Sequence, residues 1–239
     1  MSHLMKNQRG VTLVELIIAM AVTTLVLGAV YMAVNATQRH SAGIERKVVA
    51  QQDVKAALNL MALEISMASY NPGFSSDLWR TANDCANLSA NQDYRGIQEA
   101  TANALTVEMD LDADGDTTGT NEKIRYSYNT TGEDRYIARA VGCGGEFISF
   151  LGARLASGDP RNVLVINNEC NPVIPVFRYF DGEGAEIGTA NLPADIPKIR
   201  RIVITLAVET EHIDPNTGQR RRLIYSTSVI PRNHVIANY

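Results

Sequence analysis

Hydrophobic positions are distributed unevenly along this chain. From Val11 to Val34 the sequence VTLVELIIAMAVTTLVLGAVYMAV runs for 24 residues with a single charge, Glu15. A helix of that length measures about 36 Å and crosses a hydrocarbon core of about 30 Å. From Gln38 to Ser69 there is no proline, and Ile44, Val48, Gln51, Lys55, Leu58, Ala62 and Ile65 recur at spacings of three and four, as on one helix face. Asn71-Pro72-Gly73 ends the pattern. It predicts one helix from about Val11 to about Ser69, about 88 Å long. The first half is apolar all round, and the second is packed by one stripe on a head.

Past Pro72 the period falls to two. Ala104–Met109, Lys123–Tyr128, Arg135–Val141, Val176–Phe180, Ile199–Glu209 and Arg221–Ile230 read as strands. The last two read as a long antiparallel hairpin closed by Asp214-Pro-Asn-Thr-Gly218, and Phe180-Asp181-Gly182-Glu183-Gly184 as another turn. Residues 75–98 and 153–175 are polar and Gly/Asn/Pro-punctuated, which predicts long loops. Helix first and antiparallel meander after is an α+β plan.

Composition narrows the function. Twenty-two basic against 26 acidic residues leave a net charge of −4, without the basic surplus that non-specific nucleic-acid binding needs. The four histidines and three cysteines have no zinc spacing, and there is neither a G-x-S-x-G nor a phosphate-binding loop. No enzymatic activity is expected.

The apolar run is too long for a cleaved secretory signal, whose core holds about 7–15 residues. A plain anchor leaves Glu15 unexplained, because a carboxylate in hydrocarbon is kept by a partner or a function, or leans to the interface. Arg9-Gly10 followed by Val11-Thr12-Leu13-Val14-Glu15-Leu16, after a polar leader carrying Lys6, resembles the class III signal of type IV prepilins. That resemblance implies cleavage after Gly10 by a prepilin peptidase, N-methylation of Val11, and pairing of Glu15 with the amine of a neighbouring subunit. It also implies a single pass through the bacterial inner membrane, a periplasmic head, and later residence in the pilus or at its tip. Val11 replaces the usual phenylalanine, and the apolar helix lacks the proline common in major pilins. The implied divisions are a leader (1–10), a membrane and polymerisation half of the helix (11–34), an amphipathic half (35–70) and a pilin head (71–239).

In the head, Asp110–Asp116 with Asn121–Tyr126, Val176–Gly182, Ile199–Thr205 and Pro231-Arg-Asn233 resemble PilW-like minor pilins, and the architecture is similar to the J-type pseudopilin of type II secretion. The partners implied are other minor and major pilins. The reading from a different class is a membrane-anchored, calcium-dependent binding module that never polymerises. Asp110, Asp112, Asp114 and Asp116 alternate, with Gly115 allowing a sharp turn, and converging carboxylates invite Ca²⁺. The twelfth loop position is Asn121, and Glu122 follows one place later, so the loop is not an EF-hand. An acidic hairpin turn in solvent is the plainer reading. Outside the cytoplasm three cysteines allow one bridge. Cys143, in Gly142-Cys-Gly-Gly145, reaches either Cys85 or Cys170, and the sequence leaves that choice open.

Overall fold

The computed structural model describes residues 10–89, 91–130, 135–152, 162–214 and 217–234. Of the expected leader, only Gly10 falls among them. One helix, α1 (Leu13–Ser66), runs for 54 residues, about 80 Å at the standard rise. It starts two residues later than expected because Thr12 is its N-cap. It ends three residues earlier because Ser69 takes a left-handed conformation (φ 67°) and donates its N–H to the Glu108 carbonyl, 2.9 Å away.

The two halves of α1 meet different surroundings. Every residue from Val11 to Val34 is exposed, and the helix first buries a residue at Gly43. Thr23 and Thr37 donate their hydroxyls to the carbonyls of Ala19 (2.7 Å) and Ala33 (2.9 Å), and Thr24 does the same to Met20. These threonine hydroxyls are thus paired within the helix. Against the head, the buried residues are Gly43, Ala50, Val54, Ala57, Leu58, Met61, Glu64 and Ile65. The expected stripe was therefore rotated in its first half. Ile44 (64% exposed) and Val48 (41%) point outward, as does Lys55, while small Gly43 and Ala50 let the helix approach the head closely.

The head has two antiparallel sheets. In the first, β1 (Ile97–Ala100), β2 (Ala104–Glu108), β3 (Lys123–Asn129), β4 (Tyr136–Val141) and β5 (Ile148–Leu151) pair in sequence order. The second has the order β10 (Arg222–Val229), β9 (Arg201–Thr210), β7 (Phe177–Phe180), β8 (Glu186–Ile187). The short β6 (Val163–Val165) pairs with the far end of β9, Val163 opposite Thr210. The expected hairpin is β9–β10, in register from Ile202↔Val229 to Glu209↔Arg222. Strands β1, β5, β6 and β8 were not anticipated. Both β1, at the end of the 75–98 stretch, and β6, within 153–175, fall in segments read as loops. They are short, and their partners supply the order that their own composition does not.

Both sheets and α1 share one core. Val54, Leu58, Met61 and Ile65 of the helix pack with Leu105, Ile124 and Ile137 of the first sheet, and with Phe177, Ile204 and Leu206 of the second. The segment between α1 and β1 runs over this core and is tied at several points. The Arg80 N–H donates to Glu108 Oε2 (2.8 Å), Lys123 Nζ donates to the Thr81 carbonyl, and Gln92 bonds both ways with the Trp79 backbone. Cys85 and Cys143 form a disulfide, and Cys170 is the free thiol.

The bridge closes a loop with a sequence separation of 58. It removes conformational freedom from the unfolded chain. Replacing both Cys85 and Cys143 with serine is expected to lower the unfolding free energy by about 2–4 kcal/mol. Denaturant titration of the detergent-solubilised chain, with its reduced wild type alongside, measures this. Coincident transitions of oxidised wild type and double mutant would contradict it.

Candidate functional site

Three places carry chemistry: the start of α1, its far end where it enters the head, and the loop between β2 and β3. At the start, Gly10 and Val11 lie exposed in extended chain directly before the N-cap. A Cβ added to Gly10 would meet nothing within 4 Å, so the fold itself sets no limit on the side chain there. Glu15 is the third helical residue and completes a capping box. Its Oε2 accepts the Thr12 N–H and the Thr12 hydroxyl, both at 2.9 Å, while the Thr12 Oγ1 accepts the Glu15 N–H at 3.3 Å. Within one chain the carboxylate is thus occupied at the positive end of the helix.

At the far end, buried Glu64 meets Arg139 of β4 in a two-pronged ion pair (Nη2–Oε1 2.5 Å, Nε–Oε2 3.1 Å) and accepts the hydroxyl of Tyr126 of β3. Burial and then the neighbouring Glu64 push the Tyr126 phenol well above its ordinary range, so it remains a donor. Close by, the chain after β10 folds back over the helix end. The Arg232 N–H approaches the Ser66 carbonyl at 3.4 Å, and the buried His234 ring spans Ser69 Oγ and the Ile196 carbonyl, each at 2.9 Å. A carbonyl only accepts, so Nε2 carries the proton and Nδ1 accepts from Ser69. Burial lowers the His234 pKa to about 4. Nearby Glu108 and Lys123 form a buried pair at 3.3 Å, and burial pushes Glu108 up to about 7 against the opposing effects of the Arg80 N–H and Lys123.

The β2–β3 connection gathers the five predicted acidic residues, Asp110, Asp112, Asp114, Asp116 and Glu122, into two groups that share Glu122. Asp112 Oδ1 accepts the N–H of Asp114 (3.2 Å), and Asp114 Oδ1 accepts that of Asp116 (2.9 Å). Asp116 Oδ1 accepts the N–H and hydroxyl of Thr118, which hold its carboxyl below the usual range. Glu122 is buried and faces the loop. Its Oε1 accepts from Leu111 (2.7 Å) and Asp112 (3.3 Å), and its Oε2 from Gly119 (2.9 Å). Asn121, at φ 66°, turns the chain so that Glu122 and not the twelfth residue closes the loop. Oxygens of Asp110, Asp112 and Glu122 lie within 4.8 Å of one another, and so do those of Asp114, Asp116 and Glu122.

Of the cysteines, the structure joins Cys143 to Cys85, so no thiol stands at Cys143. Sequence reading missed the Glu64–Arg139–Tyr126 clamp and the His234 tie. The one available signal for the clamp was a lone carboxylate in the apolar run Leu58–Ile65. Nothing local marked its partners, which come from distant strands.

Residues 5–31 match the family described as the prokaryotic N-terminal methylation motif. Among solved structures, the chain is similar to a type IV-like pilin from Thermus thermophilus at 12% identity and a TM-score of 0.42, covering 77% of this chain and 98% of that one. No curated protein matches the sequence significantly. The chain carries a prepilin-type N-terminus, and that motif runs directly into the long helix that docks on an antiparallel head, a type IV pilin-like plan.

The His234 tie gives a pH dependence. The unfolded histidine titrates near 6.5 and the folded one near 4, so folding stability falls as pH drops from 6.5 toward 4. The full loss is about 3 kcal/mol. Glu108 contributes the opposite slope between 4.5 and 7. The quantity to measure is therefore the difference in unfolding free energy between wild type and His234→Asn, in which the Glu108 contribution cancels. Wild type should lose ground to the variant steadily below pH 6.5, and a pH-independent difference would contradict this.

Proposed function

We propose that this chain is a minor subunit of a type IV pilus. It is inserted in the bacterial inner membrane with its head in the periplasm, cut between Gly10 and Val11 by a prepilin peptidase, and methylated at Val11. It then joins other minor and major pilins to start the filament or cap its tip. The observation that carries this reading is the methylation motif at residues 5–31, with Gly10 exposed in extended chain immediately before the helix cap. A peptidase needs an accessible, non-helical bond, and this one lies where the membrane helix begins.

The helix supports the same reading. Every residue from Val11 to Val34 is exposed, so this apolar half depends on lipid or on neighbouring helices for cover. The disulfide suits a head exported to an oxidising compartment. The helix carries no proline from Leu13 to Ser66, which fits a minor subunit better than a major one. Intact mass of the protein from native membranes is the direct test. It should correspond to a chain beginning at Val11 with one added methyl. Replacing Gly10 with a bulky residue should leave the chain full length, and since the fold has room there, that loss belongs to peptidase recognition. A native chain beginning at Met1, or one cut near Ala36, would overturn the proposal.

Glu15 acts, in this reading, at docking. Inside one chain it completes the capping box, which makes the carboxylate tolerable in the membrane. In a filament the cationic Val11 amine of the next subunit becomes its partner, and in low dielectric an unpaired charge on either side is costly. Two variants separate capping from pairing. Thr12→Ala removes the hydroxyl of the box and keeps the charge; it should still co-purify with sheared filaments. Glu15→Leu removes the charge; it should insert, be processed, and fail to co-purify. Wild-type incorporation of Glu15→Leu would show that the carboxylate serves only as a cap.

A further inference from the structure

We infer that the β2–β3 loop is a calcium site built on two buried carboxylates, Asp110 and Glu122, and closed on the solvent side by Asp112, Asp114 and Asp116. The decisive atom is Asp110 Oδ1. Asp110 is fully buried, its Oδ2 accepts only the Gly115 N–H at 3.2 Å, and its Oδ1 has no hydrogen-bond partner. Burying an anionic oxygen without a donor or a cation is expensive, and native proteins rarely do so without a reason. Among the described residues none of the five carboxylates makes an ion pair, although the Arg80 charge acts on Asp116 from nearby. Glu122 Oε1 already accepts two backbone N–H groups, while Oε2 accepts one and keeps a further lone pair. Glu122 belongs to both groups of converging oxygens, which makes it the shared wall of the site.

The donor set is all oxygen and all anionic, which selects a hard cation. The carboxylates converge in two groups of three that share Glu122, on an irregular loop with Ala113, Gly115 and Asn121 in the left-handed region, an adaptable donor set and not a rigid octahedron. That favours Ca²⁺, which accepts six to eight oxygens in flexible geometry, over Mg²⁺, which demands near-ideal six-coordination and gives up its water reluctantly. The ion would also steady the neighbouring segment. The Asp110 N–H donates to the Tyr70 carbonyl at 2.8 Å, the Thr117 hydroxyl reaches the Leu78 carbonyl at 3.4 Å, and Gly115 abuts Ser75, whose Oγ lies 3.1 Å from where a Cβ would stand.

The site makes a prediction that an acidic turn does not. In metal-free protein, Asp110→Asn removes a buried charge that lacks a partner, so the variant should melt higher than wild type. In calcium the order should reverse, because wild type gains the ion and the variant does not. The experiment is thermal unfolding of the full-length, detergent-solubilised chain, stripped with chelator and then given Ca²⁺ or Mg²⁺, with calcium titration calorimetry beside it. Wild type should rise by roughly 5–10 °C at calcium one hundred times its Kd. That Kd should be about 0.1–1 mM, as in extracellular calcium modules. Asp112→Asn changes an exposed ligand without touching the core, and it should weaken calcium binding about tenfold while leaving metal-free melting unchanged. Crossed melting orders with a calcium-only rise establish the site. Superimposed curves with and without calcium, an unchanged Kd in Asp112→Asn, or an equal rise with Mg²⁺ would overturn it.

Discussion

Between Ala50 and Ile65 the residues that the long helix buries in the head are small or apolar except for one charged group, Glu64. The seating of the head on the helix depends on how that carboxylate is met. Arg139 grips it with two nitrogens and Tyr126 donates a hydroxyl, so β3 and β4 are registered against the helix by a fixed geometry. Apolar contacts alone are non-directional and would tolerate a helix sliding along its axis. A buried, hydrogen-bonded ion pair does not, because moving away strands a charge in the core. The distance from head to helix start is set here.

The opposite half of the helix solves a different problem with the same backbone. It buries nothing in the head, and its threonine hydroxyls return to carbonyls one turn back. Its one carboxylate is held at the N-cap, where unpaired backbone N–H groups are concentrated. The carboxylate and the threonine hydroxyls of this half are therefore satisfied within one chain. Continuity of α1 joins the two halves in one element.

The head's distal end is made from segments with little secondary structure of their own. The stretch after α1 is fixed by a disulfide, by Lys123 and Glu108 beneath it, and by the carboxylate loop beside it. His234 and Arg232 close the same end from the other terminus. Long connections of this kind remain ordered only when such ties replace the missing ladders.

The features legible in the sequence were those set by local periodicity. Uninterrupted apolarity from Val11 to Val34, the Gly10–Glu15 spacing, the alternation of Ile202, Ile204, Leu206 and Val208, and the clustered aspartates can each be read within a few residues. Tertiary structure decided the rest, for one physical reason: those features join groups far apart in the chain. Which face of α1 is buried followed from where the sheets allow close approach, so Gly43 and Ala50 displaced the larger Ile44 and Val48. Cys143 paired with Cys85 because folding brought their Cα atoms to 5.2 Å. Strands β1 and β6 exist because neighbours offered them a ladder. Asp110 looked no different from the other aspartates until packing sealed it from water and left one of its oxygens without a partner.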